Sequence, residues 1–307
     1  MPADPRQVRQ ALDGRTIRRH FARAAATYDA ASVLQKEIGA RMVERLDVVR
    51  LAPAALLDAG CGTGEAQGEL AARYPQARRV ALDIAPAMLA AAQAKVRQHS
   101  SLASRLLAPL RGTSGGGTHF VCGDILALPF RAGSFGLVWS NLVLQWVDDL
   151  PRALAEFHRV LDVDGLLTFT TFGPDTLREL RAAFAQLDAA PHVNRFVDMH
   201  DVGDLLVHAG FADPVLQMEY VTLTYAEPVA MVRDLKAIGA TNAAANRTRG
   251  LMGRDRWRRA MAALDAMRRD GRIPATFEVV HGHAWKAAPT HTADGRAIVR
   301  VQRTASR

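Results

Sequence analysis

The sequence predicts an α/β protein built on a doubly wound parallel sheet, and three observations carry that prediction. Short apolar runs closed by turn residues alternate with longer segments of helical spacing between residues 55 and 171, the order that parallel strands joined by crossover helices require. The first apolar run opens directly into glycines, Leu56-Leu57-Asp58-Ala59-Gly60-Cys61-Gly62-Thr63-Gly64, and in an open α/β sheet a ligand meets the protein at such a turn beyond the carboxyl ends of the strands. The 307 residues are 49% hydrophobic and 23% charged, which supplies a sizeable core and excludes a disordered chain, a collagen-like repeat and a disulfide-stapled miniature.

Taken in order, two helical stretches near Thr16–Thr27 and Ser32–Val49 precede the first strand at too great a distance to be a crossover, and they are expected to form a lid. Strands are predicted at Ala55–Ala59, Arg79–Asp83, His119–Cys122, Phe135–Ser140 and Gly165–Thr171, with helices at Glu65–Arg73, Pro86–Gln98 and Pro151–Leu161 between them. Beyond Thr171 the pattern changes to helices near Asp175–Leu187, Asp201–Ala209 and across Pro228–Arg269, with strands at Pro214–Thr224 and Thr276–Lys286. This predicts a lid over 1–50 and a main domain over 51–307 carrying helical cap insertions at about 174–212 and 228–272. Ser100–Thr118, with its Ser-Gly-Gly-Gly, reads as a surface excursion, and the tail after Ala287 is polar with one short alternating run that suits an edge strand.

No apolar run reaches the ~18 to 20 residues of a membrane span, and the start MPADPRQVRQ has no apolar core behind its basic residues, so a cytoplasmic protein is expected. Cys61 and Cys122 lack ligand spacing, which argues against a zinc site or a disulfide framework and for two small buried thiols. The 39 Lys and Arg against 31 Asp and Glu leave a net charge of +8. Of this, +6 falls within Thr241–Arg272, where nine arginines meet three aspartates. A solvated helix face, nucleic acid, an acidic protein and a phosphorylated cofactor all fit that excess.

The glycine turn carries the chemistry. Its G-x-G-x-G pattern has Glu65 where the dinucleotide pattern G-x-G-x-x-G needs glycine, and a pyrophosphate on the helix N-terminus would be repelled by that carboxylate and by Asp58. A cationic ligand without phosphate, such as S-adenosylmethionine, suits the acidic turn. Asp83 ends the second predicted strand, where a carboxylate accepts from ribose hydroxyls. Asp124 follows the third, placed for an adenine amino group with Ile125 against the ring, and Asn141 and Leu142 follow the fourth.

The motifs DAGCGTG, ALDIAPAML, GDILALPF and SFGLVWSN resemble those of class I S-adenosylmethionine-dependent methyltransferases over about Ala55–Thr171. The resemblance implies a Rossmann-like, doubly wound, seven-stranded, mostly parallel sheet whose last strand, Thr276–Lys286, is antiparallel. It implies Gly60, Gly62 and Gly64 beside the methionine part, Asp83 at the ribose, and Met88 and Ile125 on the adenine faces with Asp124 at its amino group. Gln35, Asp58, Ile84 and Asn141 complete the implied cofactor set, with no metal. Flanking segments, Phe21–Asp29 with Leu34-Gln35, Ser140–Trp146, Phe169–Leu177, His192–Phe196 and Leu235–Asn242, resemble the malonyl-acyl carrier protein O-methyltransferases of biotin synthesis over nearly the whole chain. Asp149–Leu154, FGPDTLREL and Pro274-Ala275-Thr276 also resemble the complex I assembly relatives that modify an arginine.

Methyl transfer to a carboxylate needs no general base, because a carboxyl with its ordinary pKa near ~4 is ionised at neutral pH. It needs an oriented, water-free pocket and a partner for the carboxylate. Arg195 is the expected clamp, Tyr28 and Gln145 the expected pocket lining, and Trp146 reads either as an apolar wall of that pocket or, in preference, as ordinary core packing. For an acidic carrier protein, Arg247, Arg249, Arg254, Arg258 and Arg259 are the expected contacts. Trp257 alone among the clustered arginines offers an aromatic stacking surface, which is poor for RNA, and neither nucleic acid nor a membrane is an expected partner.

Overall fold

The structure is a computed structural model and describes residues 12–99, 117–188, 190–245, 247, 250 and 252–289. Of the predicted excursion Ser100–Thr118, residues 100–116 lie outside the described residues, as do the tail from 290 onward and Arg249, and Thr118 already belongs to a strand.

Seven strands form one sheet in the order β3-β2-β1-β4-β5-β7-β6. Strand β1 (Ala55–Ala59) lies at its centre, paired in parallel with β2 (Arg78–Asp83) and β4 (Phe135–Ser140). Outward from these, β3 (Thr118–Cys122) pairs with β2 and β5 (Leu161–Phe172) with β4, both parallel. Strand β7 (Ile273–Trp285) runs antiparallel between β5 and β6 (Ala212–Tyr225). The order reverses between β1 and β4, and a ligand crevice opens at that switch point.

Every residue of β1 is buried, so its alternation serves two cores. On one face Leu57 and Ala59 join Val138, Leu167 and Phe169 beneath helices α6 (Leu150–Val160) and α8 (Met199–His208). On the other, Leu56 joins Leu137, Trp139 and Leu166 against α3 (Val33–Arg45) and α4 (Gln67–Arg73). Helix α5 (Pro86–His99) connects β2 to β3, and its Leu89 packs on Ala81. Helix starts are capped by aspartates that accept from backbone N–H groups: Asp149 from Arg152 for α6 (3.2 Å) and Asp198 from His200 for α8 (2.8 Å).

A third apolar cluster joins α7 (Arg178–Ala185), α9 (Pro228–Ala237) and α10 (Arg254–Asp265) to Phe172, Phe277 and Val279 of the sheet and to Leu34 and Ile38 of α3. Before it come α1 (Gly14–Ala24), with Asp13 as its N-cap, and the short α2 (Tyr28–Ala31). Two expectations need correction. Strand β5 starts at Leu161 rather than Gly165, because Asp162, Val163 and Asp164 are exposed and do not read as an apolar run. Cys122 is exposed at the end of the outermost strand β3, and only Cys61 is a buried thiol. Among the described residues no helix is long and apolar enough to cross a membrane.

Candidate functional site

The three glycines after β1 have φ of +83°, +53° and +78° at 60, 62 and 64, the left-handed region that favours glycine. Their surroundings differ. A Cβ on Gly60 would lie 2.3 Å from Val143 Cγ2 and one on Gly64 2.9 Å from Ala92 Cβ, whereas the nearest atom to a Cβ on Gly62 is Tyr28 Cε1 at 4.0 Å. Gly60 and Gly64 therefore allow close packing of protein on protein, and Gly62 leaves open floor for a ligand.

The carboxylate of Asp83 holds this turn. It accepts from Gly62 N (2.9 Å) and Ala85 N (2.8 Å) through different oxygens, and each oxygen keeps a lone pair for a further donor. Burial pushes its pKa up against those hydrogen bonds. Asp58 lies deeper, 3% exposed, and accepts from Gln67 Nε2 at 2.6 Å. Burial, with the Asp83 charge adding to it, pushes the Asp58 carboxyl up to about 7 despite the Gln67 hydrogen bond.

A cleft at the switch point is lined by Gly60, Gly62, Asp83, Ile84, Met88, Asp124, Ile125 and Asn141, with Leu12, Ile17 and Phe21 of the lid above and Tyr28, Leu142, Val143 and Trp146 on the far side. A second cavity shares Phe21, Tyr28, Leu142 and Trp146 with the cleft and continues along Gln35, Gln145, Phe172, His192, Asn194, Thr241 and Asn242. Leu142, between the two, is left-handed at φ +52°, a conformation that costs a leucine about 1 kcal/mol or more. Its N–H is held by the Thr170 carbonyl (3.2 Å) and hydroxyl (2.9 Å). The N-terminal helical segment is held from both sides. Thr63 donates to Asp29 Oδ1 (2.5 Å), Lys95 bridges Asp29 (3.0 Å) and Glu65 (2.9 Å), and Thr27 donates to the Ala237 carbonyl (2.9 Å). Phe21 meets Trp146 edge-on at 5.3 Å.

Most of the residues singled out in the sequence border these two spaces, but four do not lie where expected. Asp58 and Gly64 lie beneath the turn rather than in the cleft wall, since strand alternation aims Asp58 at Gln67 and Gly64 packs on Ala92 of α5. Gln35 lines the second cavity, and its backbone carbonyl accepts from Asn141 Nδ2 (2.9 Å). Arg195 is exposed and lines neither space, because the loop turns its neighbours Val193, Asn194 and Phe196 inward instead. Trp146 is a wall of both spaces, the first of its two readings rather than the preferred core packing. Gln145 is buried and donates to the Leu142 carbonyl (2.8 Å). Thr241 and Asn242 fell within a quoted motif without receiving a role, and no periodicity signals residues that a loop delivers. Among the described residues no His, Cys, Asp and Glu cluster could hold a metal ion.

A methyltransferase-domain family matches residues 57–169. The malonyl-[acyl-carrier protein] O-methyltransferase of Laribacter hongkongensis is 54% identical over 94% of this chain and 95% of its own length. That of Gallionella capsiferriformans is 50% identical over 94% and 97%. Among solved structures, a putative methyltransferase from Bacillus halodurans has a TM-score of 0.56 at 15% identity, covering 80% of this chain and 97% of that one. The YcgJ protein from Bacillus subtilis has 0.54 at 15%, covering 82% and 99%. These two likenesses concern the fold.

Proposed function

We propose, from the premise that the chain belongs to the malonyl-[acyl-carrier protein] O-methyltransferase family, that it moves a methyl group from S-adenosylmethionine to the free carboxylate of a malonyl group held as a thioester on acyl carrier protein. The observation that carries this reading is the pair of adjoining spaces with a common wall at Phe21, Tyr28, Leu142 and Trp146: a donor cleft and an acceptor cavity meeting under a lid.

The cleft fits the donor. The open floor at Gly62 and the spare lone pairs of Asp83 suit an amino-acid end and a ribose, and Ile84, Met88 and Ile125 offer apolar faces to a flat ring. Asp124 Oδ1 already accepts from Leu126 N (2.9 Å), which leaves its other oxygen for an exocyclic amine. S-adenosylmethionine supplies, when bound, a methyl carried on a sulfonium.

The chain's own part is to deliver a carboxylate to that methyl and keep water out. Among the described residues no Asp, Glu, Lys or Arg lines the acceptor cavity. Its titratable groups are Tyr28, whose phenol is pushed up by burial and by nearby carboxylates, and His192, held down by burial. The carboxylate therefore meets neutral donors, and Tyr28, at the junction, is the one placed to orient it. Neutral hydrogen bonds leave more charge on the attacking oxygen than a guanidinium pair would. Asn141, tied to Gln35 O and Thr170, and Gln145, tied to Leu142 O, fix the junction without entering the reaction.

The product ester is neutral and passes as an ordinary acyl chain, which suits priming of the pimeloyl chain of biotin. Arg254 and Arg259, exposed on α10, and Arg258, paired with Asp255 at 2.8 Å, are the surface cations for an acidic carrier protein. Arg247 is turned inward, hydrogen-bonded to the Ala244 carbonyl (2.9 Å) and Thr16 Oγ1 (3.0 Å). Mass spectrometry of malonyl-acyl carrier protein after incubation with the protein and S-adenosylmethionine tests the reading: the expected result is one added methyl removable by ester hydrolysis, and an unchanged carrier protein would overturn it.

A further inference from the structure

We infer that a basic vestibule at the outer end of the acceptor cavity binds the phosphodiester of the pantetheine arm through which a carrier protein presents its acyl group. This rests on the carrier-protein reading above. A third cavity shares His192, Thr241 and Asn242 with the acceptor cavity and adds His20, Arg247 and Arg256 at its outer side. Among the described residues the acceptor cavity has no cationic side chain in its lining, and positive charge appears where the passage reaches this vestibule.

Both guanidinium groups are held from behind. Arg247 donates to the Ala244 carbonyl (2.9 Å) and to Thr16 Oγ1 (3.0 Å), with Asp13 Oδ2 at 3.7 Å. Arg256 pairs with Asp188, which also meets His192 Nε2 at 2.8 Å. Neither aspartate lines the cavity, so the carboxylates orient the arginines and leave remaining N–H groups for an anion. Arg256 lies in the first turn of α10, whose N-cap Gly253 has no side chain to satisfy the free N–H groups, and the helix dipole adds positive potential there. His20 and His192 are both held down by burial; a neutral His192 spends its one N–H on Asp188, whereas His20, with Thr241 Oγ1 donating to its Nδ1 (2.5 Å), keeps its Nε2–H for an anion. The order of charge along the passage matches the arm: a monoanionic phosphodiester outside, amides and thioester through a neutral channel lined by Asn242, Thr241 and Asn194, and the malonyl carboxylate at Tyr28.

The test is calorimetric titration of the full chain with 4′-phosphopantetheine and with pantetheine, which differ only in the phosphate. The expected result is at least about tenfold tighter binding of the phosphorylated compound, as charge-assisted hydrogen bonds to two guanidiniums give. In Arg256→Gln that preference falls several-fold with pantetheine affinity retained, and Arg256→Lys restores part of it. Retained pantetheine binding shows that the variant is folded. Equal binding of the two compounds by the unaltered protein would overturn the proposal, and so would a preference untouched by Arg256→Gln. Michaelis constants for malonyl-acyl carrier protein and malonyl-coenzyme A separate the sources of phosphate. A rise in Arg256→Gln with the carrier protein is expected, and a rise with coenzyme A alone would overturn the carrier-arm assignment. If the protein methylates neither thioester yet prefers phosphopantetheine, the functional reading fails and the vestibule stands.

Discussion

Asp58 and Asp83 end neighbouring strands beneath one turn, yet their environments give them different tasks. Asp83 faces the cleft and receives two backbone N–H groups, whereas Asp58 is 3% exposed and has one amide partner. A carboxyl pushed up from 3.8 to about 7 binds its proton more tightly folded than unfolded. Stability therefore falls as pH rises from the unfolded value through the folded one, by roughly 2 to 4 kcal/mol, and is flat above it. Asp58→Asn keeps an acceptor for Gln67 and removes the titration. Thermal melts between about pH 4 and pH 8 are expected to show the variant gaining on the parent as pH rises; a constant difference would show that Asp58 stays ionised throughout. Both acids were legible in the sequence as strand-end carboxylates, but which one reaches the cleft was not, because that depends on a strand's alternation relative to its neighbours. Arg195 misled for the same reason: a loop's inward side has no period to read.

At the scale of the element, the glycine turn contains three residues that look alike in the sequence and act differently in space. Gly60→Ala drives a Cβ into Val143, which the 3₁₀ turn at Leu144–Trp146 holds against β4, and it also strains φ +83°. This variant is expected to lose more than about 2 kcal/mol of stability, since neither the clash nor the backbone can relax alone. Gly62→Ala meets no atom nearer than 4.0 Å and should cost only the ~1 to 2 kcal/mol of a left-handed alanine. Its methyl group occupies the cleft floor, so its S-adenosylmethionine affinity should fall at least tenfold while the protein remains folded. Melting and calorimetry on both variants check this, and equal affinity losses at equal folding would refute the distinction. The strands Ala55–Ala59 and Phe135–Ser140 were readable to the residue because both are short, mostly apolar runs closed by turn residues and buried between two layers. The start of β5 was not, since its exposed Asp162 to Asp164 lead-in is held only by pairing such as Lys286 N to the Gly165 carbonyl (2.9 Å).

Over the whole molecule the positive charge is sorted by depth. Of the clustered arginines, Arg247 is turned inward and Arg256 is paired with Asp188, while Arg268 and Arg272 are tied to Ala226 O (2.7 Å) and Thr224 O (2.6 Å) near the α9 and β6 ends. Arg254, Arg258 and Arg259 face solvent on α10, whose buried side, Ala260, Met261 and Leu264, anchors it to the cap. The same helix supplies Arg256 to the lining of the vestibule. Exposed ion pairs contribute ~0 to 1 kcal/mol each, so no single one of these should be decisive. Their joint field acts on encounter, accelerating approach of an acidic partner and weakening as salt screens it beyond ~10 Å at 0.1 M. Arg254, Arg258 and Arg259 replaced together by Glu shift the helix charge by −6, from +3 to −3 over those positions. The apparent Michaelis constant for malonyl-acyl carrier protein is then expected to rise about tenfold or more at low salt, and its salt dependence to flatten or reverse. Malonyl-coenzyme A carries no acidic protein, so its constant should move far less. Steady-state kinetics with both substrates between about 0.02 and 0.5 M salt check this, a range over which the Debye length falls several-fold. A parallel rise for both substrates would assign these arginines to the passage rather than to the docking face, and unchanged constants would leave α10 as an ordinary solvated helix.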